Sequence, residues 1–113
     1  MDDSILNTIK KLLGIAPDYE AFDTDIIVNI NAYLGVLNML GVGIDGFTIE
    51  DDGATWADFL KGSEVPLNEV RTYLYLRVRQ VFDPPASSVM SATIDKQIDE
   101  LGWRMTTKVE CTV

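Results

Sequence analysis

Few side chains in this sequence are of the kinds that do chemistry, and none is a histidine. Without histidine, neither a Ser-His or Cys-His nucleophile pair nor a His-ligated metal site can be assembled within the chain. Glu50, Asp51 and Asp52 cluster three carboxylates. The run from Asp45 through Gly53, however, lacks the D-x-[DN]-x-[DN]-G order and the distal Glu of a calcium loop. Asp95 and Asp99 fall one helical turn apart on a polar face, whereas a general acid needs a buried carboxyl to keep its proton near neutrality. Gly41-Val42-Gly43 runs into Ile44-Asp45-Gly46 with no Lys-bearing helix after it, so it is not a phosphate loop. Cys111 has no neighbouring base to make it a thiolate. These residues predict no catalytic group, no cofactor and no metal, and the chain reads as not an enzyme.

Charge narrows the partners. The 113 residues carry 9 Lys and Arg against 18 Asp and Glu, a net charge of −9. Residues 1–60 hold Lys10 and Lys11 as their only bases against eleven acids, while residues 61–113 are balanced at seven of each. The first half thus carries the whole net charge. Nucleic acid is held by Lys and Arg that displace counterions from phosphates, so a chain of this balance is not a nucleic-acid binder. The acidic half is read as solvated surface, or as a surface facing something that must not stick or a basic partner. The acidic start Met1-Asp2-Asp3 lacks the positive region of a signal peptide, and the apolar stretch from Ile26 to Leu40 is interrupted by Asn29, Asn31 and Asn38. The expectation is a soluble protein, with the lone cysteine suiting a reducing cytosol.

Hydrophobic residues make up 47% of the chain, enough for the core of one domain over 1–113. Ile5, Leu6, Ile9, Leu12 and Leu13 predict a first helix from Ser4 to Leu13, favoured by Asp2 and Asp3 and stopped by Gly14. Residues 17–22 read as a linker. Asp23 or Thr24 caps a second helix to Leu40, closed by Gly41-Val42-Gly43, with the stripe Ile26, Ile30, Tyr33, Leu37, Leu40. Phe47-Thr48-Ile49 alternates like a very short strand. Thr55 with Asp58 resembles a capping box that opens a short helix ending at Gly62, pinned by Trp56, Phe59 and Leu60. Pro66 introduces a fourth helix, Leu67 to Phe82, stopped by Asp83-Pro84-Pro85. Ser87 or Ser88 caps a fifth, whose stripe Met90, Ile94, Ile98, Leu101, Met105 passes through Gly102 and carries it to about Arg104, with an extended tail from Thr106. The fold class is all-α: a compact bundle of about five helices with one or two long central ones and at most a very short strand pair.

Two helices have more apolar surface than one core needs. In the fourth, Leu67, Val70, Leu74, Val78 and Val81 form the core stripe, which leaves Leu76 opposite, flanked by Tyr73, Tyr75 and Phe82 and interleaved with Arg71, Arg77 and Arg79. In the fifth, Trp103 projects away from its stripe beside Arg104. Either the chain folds over these faces itself, or another subunit covers them. Arg with Tyr, Trp and Phe is the mixture that protein interfaces enrich. The interface candidates are therefore Tyr73, Tyr75, Leu76, Arg77, Arg79, Phe82, Trp103 and Arg104.

The order of segments resembles the head-tail connector (adaptor) family of tailed bacteriophages and prophages. The resemblance rests on Asp25-Ile26-Ile27 through Tyr33-Leu34 ending in Leu40-Gly41-Val42-Gly43, on Trp56-Ala57-Asp58-Phe59-Leu60, and on Tyr73-Leu74-Tyr75-Leu76-Arg77-Val78-Arg79. Phe82-Asp83-Pro84-Pro85 and the final Glu100-Leu101-Gly102-Trp103-Arg104 complete it, over about residues 5–105. Gly102 stands where that pattern leads one to expect a polar residue. What the resemblance implies is a structural virion protein without catalysis or cofactor, present in the host bacterial cytoplasm during assembly. Such subunits form a ring of about a dozen copies under the portal, extend the channel for DNA, and dock the next head-completion or tail protein. DNA would pass without being bound, no membrane is involved, and the isolated protein can be a monomer. The competing reading is a small acidic helical regulator, a DNA mimic or inhibitor of a basic partner. Its acids would have to be spaced like phosphates along one face, whereas these lie mainly at termini, caps and loops.

Overall fold

The computed structural model describes residues 4–61, 65–82 and 84–111, with side chains to residue 107. The expected roles of Asp2, Asp3, Gly62, Asp83 and the Cys111 side chain lie outside the described residues. Five helices follow in order: α1 (Ile5–Leu12), α2 (Asp23–Met39), α3 (Trp56–Leu60), α4 (Leu67–Phe82) and α5 (Ser88–Cys111). The architecture is all-α, as the periodicity predicts.

Local chemistry accounts for most of the boundaries. Ser4 caps α1 by accepting from the Asn7 amide at 3.2 Å. The end of α2 is a Schellman motif: the Val42 amide donates to the Leu37 carbonyl and the Gly41 amide to that of Asn38, both at 2.9 Å, with Gly41 at φ 87°. Thr55 and Asp58 form the predicted capping box, each side chain accepting from the other's backbone at 3.2 Å. Ser87 Oγ accepts from the Met90 amide and opens α5.

Three expectations are corrected. Neither Asp23 nor Thr24 caps α2: Phe22 holds the cap position without a side-chain bond, and Asp23 is the first helical residue. Its carboxylate is drawn instead to buried Lys10. Residues 47–49 form no strand, and the backbone of Ile49 pairs with a side chain instead. Asn31 Nδ2 donates to the Ile49 carbonyl at 3.0 Å, and the Ile49 amide donates to Asn31 Oδ1 at 2.7 Å. The isolated bridge among the described residues joins Ser4 and Thr55. Finally, α5 does not give way to an extended tail at Thr106 but continues to Cys111. Met105 is fully buried there, so packing outweighs the roughly 1 kcal/mol cost of interior Gly102.

α2 and α4 run antiparallel through the core, with α5 packed antiparallel against α4 and α1 packed against both α2 and α4. Phe22 meets Phe82 at one end and Tyr33 meets Arg77 further along. Gln80 bonds Asp95, while Gly102 lies beside Tyr73 and Leu40. Ile26, Ile30, Leu34, Leu37, Val70, Leu74 and Val78 form the centre, joined by Ile94, Ile98 and Met105. Val81 and Met90 are correctly phased for their stripes but exposed. Val81 is in the last turn of α4, beside the start of α2, where Phe82 meets Phe22.

Candidate functional site

The eight interface candidates divide once the chain is folded. Tyr73 and Leu76 are only 3% and 6% exposed, so the side of α4 expected to carry surplus apolar surface is covered within the chain by α5. Sequence phase places Leu76 opposite the α2-facing stripe, but a third helix makes that side interior too. Arg77 is half-buried. Its Nε and Nη2 donate to Tyr73 Oη at 3.2 Å, and its guanidinium lies 5.4 Å from the Tyr73 ring centre and 5.5 Å from that of Tyr33. Two residues on, and so on another face of the helix, Arg79 Nη1 donates to Tyr75 Oη at 3.4 Å. The two pairs are spaced i,i+4 and tether both arginines along α4. Arg104 pairs with Glu100 at 2.8 Å on the exposed side of α5.

Phe82 and Trp103 remain available. Phe82 is half-buried and meets Phe22 edge-on at 5.3 Å between ring centres, while Tyr19 packs against the other side of Phe22 at 5.7 Å. Phe22, Asp25, Val28, Asn29, Val81 and Phe82 line a groove of about 570 Å³ between the first turns of α2 and the last turn of α4. Val28 and Val81 are 63% and 54% exposed there. Trp103 is 68% exposed on α5, next to Gly102, which packs beside Leu40 at the opposite end of α2. The 17 residues of α2 separate these ends by about 25 Å at 1.5 Å per residue. The groove residues Phe22 and Val28, and Tyr19 which packs on Phe22, are not among the sequence candidates. Phe22 and Tyr19 stand in a segment read as linker, and a lone aromatic before a helix carries no periodic signal.

What holds that segment in place is Lys10. Its side chain is fully buried near the end of α1. Nζ donates to the carbonyls of Pro17 at 2.9 Å and Tyr19 at 2.7 Å and lies 2.7 Å from Asp23 Oδ1. An ammonium has three donors, and here three oxygens surround it. Lys10 therefore fixes the path from α1 to α2 and presents Tyr19 and Phe22 outward.

Among the described residues no group of three or more Cys, Asp or Glu is placed to hold a metal ion, and no helix is long and apolar enough to cross a membrane. Among the exposed apolar side chains, Phe22, Val28 and Val81 line the groove at one end of α2 and Trp103 stands toward the other, while Leu12, Met39, Val89 and Met90 are exposed elsewhere. A family model described as a phage connector protein matches residues 5–112. No curated protein and no solved structure is a match.

Proposed function

The chain belongs to the phage connector protein family, and from that premise we propose that it is the head-tail adaptor that forms a ring under the portal, extends the DNA channel and receives the next head-completion or tail protein. One observation carries the reading: the aromatic groove at Phe22, Val81 and Phe82 and the projecting Trp103 are different surfaces at opposite ends of α2. A two-fold dimer joins a patch to itself, whereas two unlike patches make a head-to-tail contact that closes into a ring when the rotation permits. On this reading Trp103 of one copy seats in the groove of the next. Each copy brings a net charge of −9, so copies repel one another at low ionic strength, and the portal supplies the template that overcomes this. The same acidity favours a channel along which DNA moves without being gripped.

Electron microscopy of the chain mixed with its portal tests this. The native chain should add a ring to the portal, while Trp103→Ser and Val81→Asp, both at exposed positions, should each abolish it with helicity by circular dichroism unchanged. Mixing the two variants should restore a single pairwise contact, read as a dimer, but no ring. Rings formed by either variant alone would overturn the assignment of these patches. Leu76 is no use for this test, because a polar residue there would disrupt the core instead.

A further inference from the structure

A second cavity, of about 700 Å³, opens on the other side of α1. Its walls include Leu12, Ile15, Ala16 and Pro17, and Lys11 and Arg71 reach it from α1 and α4. Arg71 Nε is buried and has no hydrogen-bond partner. The ion pairs among the described residues use Lys10 and Arg104, so neither Lys11 nor Arg71 is neutralised by a described carboxylate. A desolvated guanidinium donor left unpaired is unfavourable, and an acceptor that supplies the missing bond gains accordingly.

Two further features define that acceptor. The neighbouring cleft shares Asn7 and Pro17 with this cavity and is lined by Glu20, Asp23, Glu50, Asp51 and Asp52. A polyanion such as DNA reaching Arg71 would bring its remaining phosphates against these acids. A volume of about 700 Å³ lies within the range of roughly 300 to 1,000 Å³ typical of ligand pockets and exceeds what one small anion fills. We infer that this cavity is a docking site for a partner polypeptide segment in which one Asp or Glu, flanked by aliphatic residues, pairs with Arg71 and Lys11. The planar guanidinium matches a carboxylate in a fork, and Leu12 and Ile15 cover the flanking side chains. The site lies apart from the Phe22 and Trp103 patches, so it stands whether or not those join copies into a ring.

The probe is the capped tripeptide acetyl-leucyl-aspartyl-leucine amide, titrated into the ¹⁵N-labelled full chain. The backbone amides of Leu12 and Ile15 and the side-chain Nε–Hε resonance of Arg71 should shift saturably, the last because its hydrogen gains an acceptor. The asparaginyl counterpart should bind at least roughly tenfold more weakly, as should Arg71→Lys, which keeps the charge but loses the fork, and Lys11→Gln at an exposed position. Thermal melts establish that the variants are folded, and Lys11→Gln alone suffices should Arg71→Lys fail to fold. No saturable shift up to about 10 mM peptide, or equal binding of the asparaginyl peptide, overturns the proposal. The same shifts on adding inorganic phosphate alone would make the site a simple anion site, and the same shifts on raising protein concentration alone would assign it to a second copy; either result also overturns it.

Discussion

Lys10 is the residue on which the shape of the acidic half turns. Replacing it with Met keeps the apolar stem but removes the ammonium, leaving the Pro17 and Tyr19 carbonyls without their donor and the Asp23 carboxylate without its counter-ion. Removing one partner of a buried charge cluster costs about 3 kcal/mol or more. Lys10→Met should therefore lower the urea midpoint with little change in slope, whereas Lys11→Met, one residue on and exposed, should leave it within about 0.5 kcal/mol. Equal midpoints for the two would show that the cluster carries no net stability. Helical phase sets Lys10 nearer the apolar face than Lys11, but only the returning loop supplies its acceptors. Asn31 is a similar case. On a helical wheel it belongs to a narrow polar strip, yet its amide satisfies both backbone groups of Ile49, as a neighbouring strand would. Gly43 is the third: a Cβ there would come within 2.3 Å of the Phe59 ring, and its φ is +77°, so a position read only as a helix stop is also a close packing contact.

The helices themselves were largely legible. Caps, glycines and prolines act within a few residues, so α1, α3 and α4 start close to where local chemistry says they should. α5 is the exception, because its persistence depends on burying Met105 rather than on any local signal. Its Gly102 has ordinary backbone angles, and an added Cβ would meet Tyr73 Cε2 at 3.7 Å and Leu40 Cδ1 at 3.9 Å, normal contact distances. Gly102→Ala should thus stabilise the chain by about 0.5 to 1 kcal/mol through the unfolded state and helix propensity, raising Tm by a few degrees. A lowered Tm would mean that the approach of α5 to α4 leaves no room for a methyl group. The i,i+4 spacing of Tyr73 with Arg77 and Tyr75 with Arg79 was visible in the sequence as aromatic and basic interleaving. That spacing alone does not separate an interface from an intrahelical pairing, and here both arginines bond their own tyrosines.

At the scale of the molecule, charge sets what the surface rejects. A chain with net charge −9 should leave a duplex oligonucleotide unretarded in a gel at about 50 mM salt, where phosphate contacts are strongest. Retardation below about 100 µM protein would contradict the reading of a surface that lets DNA pass. The acidity, the helix count and the absence of histidine chemistry are properties of composition and local pattern, and the sequence determined them unaided. Which apolar residues stay exposed was decided only by tertiary structure. Leu76 and Tyr73 are buried within the folded chain, while Phe22 and Val81 stay exposed where the start of α2 meets the end of α4. Helical periodicity records the direction in which a side chain points; whether another helix lies there depends on how far each helix extends and on contacts made across the whole chain.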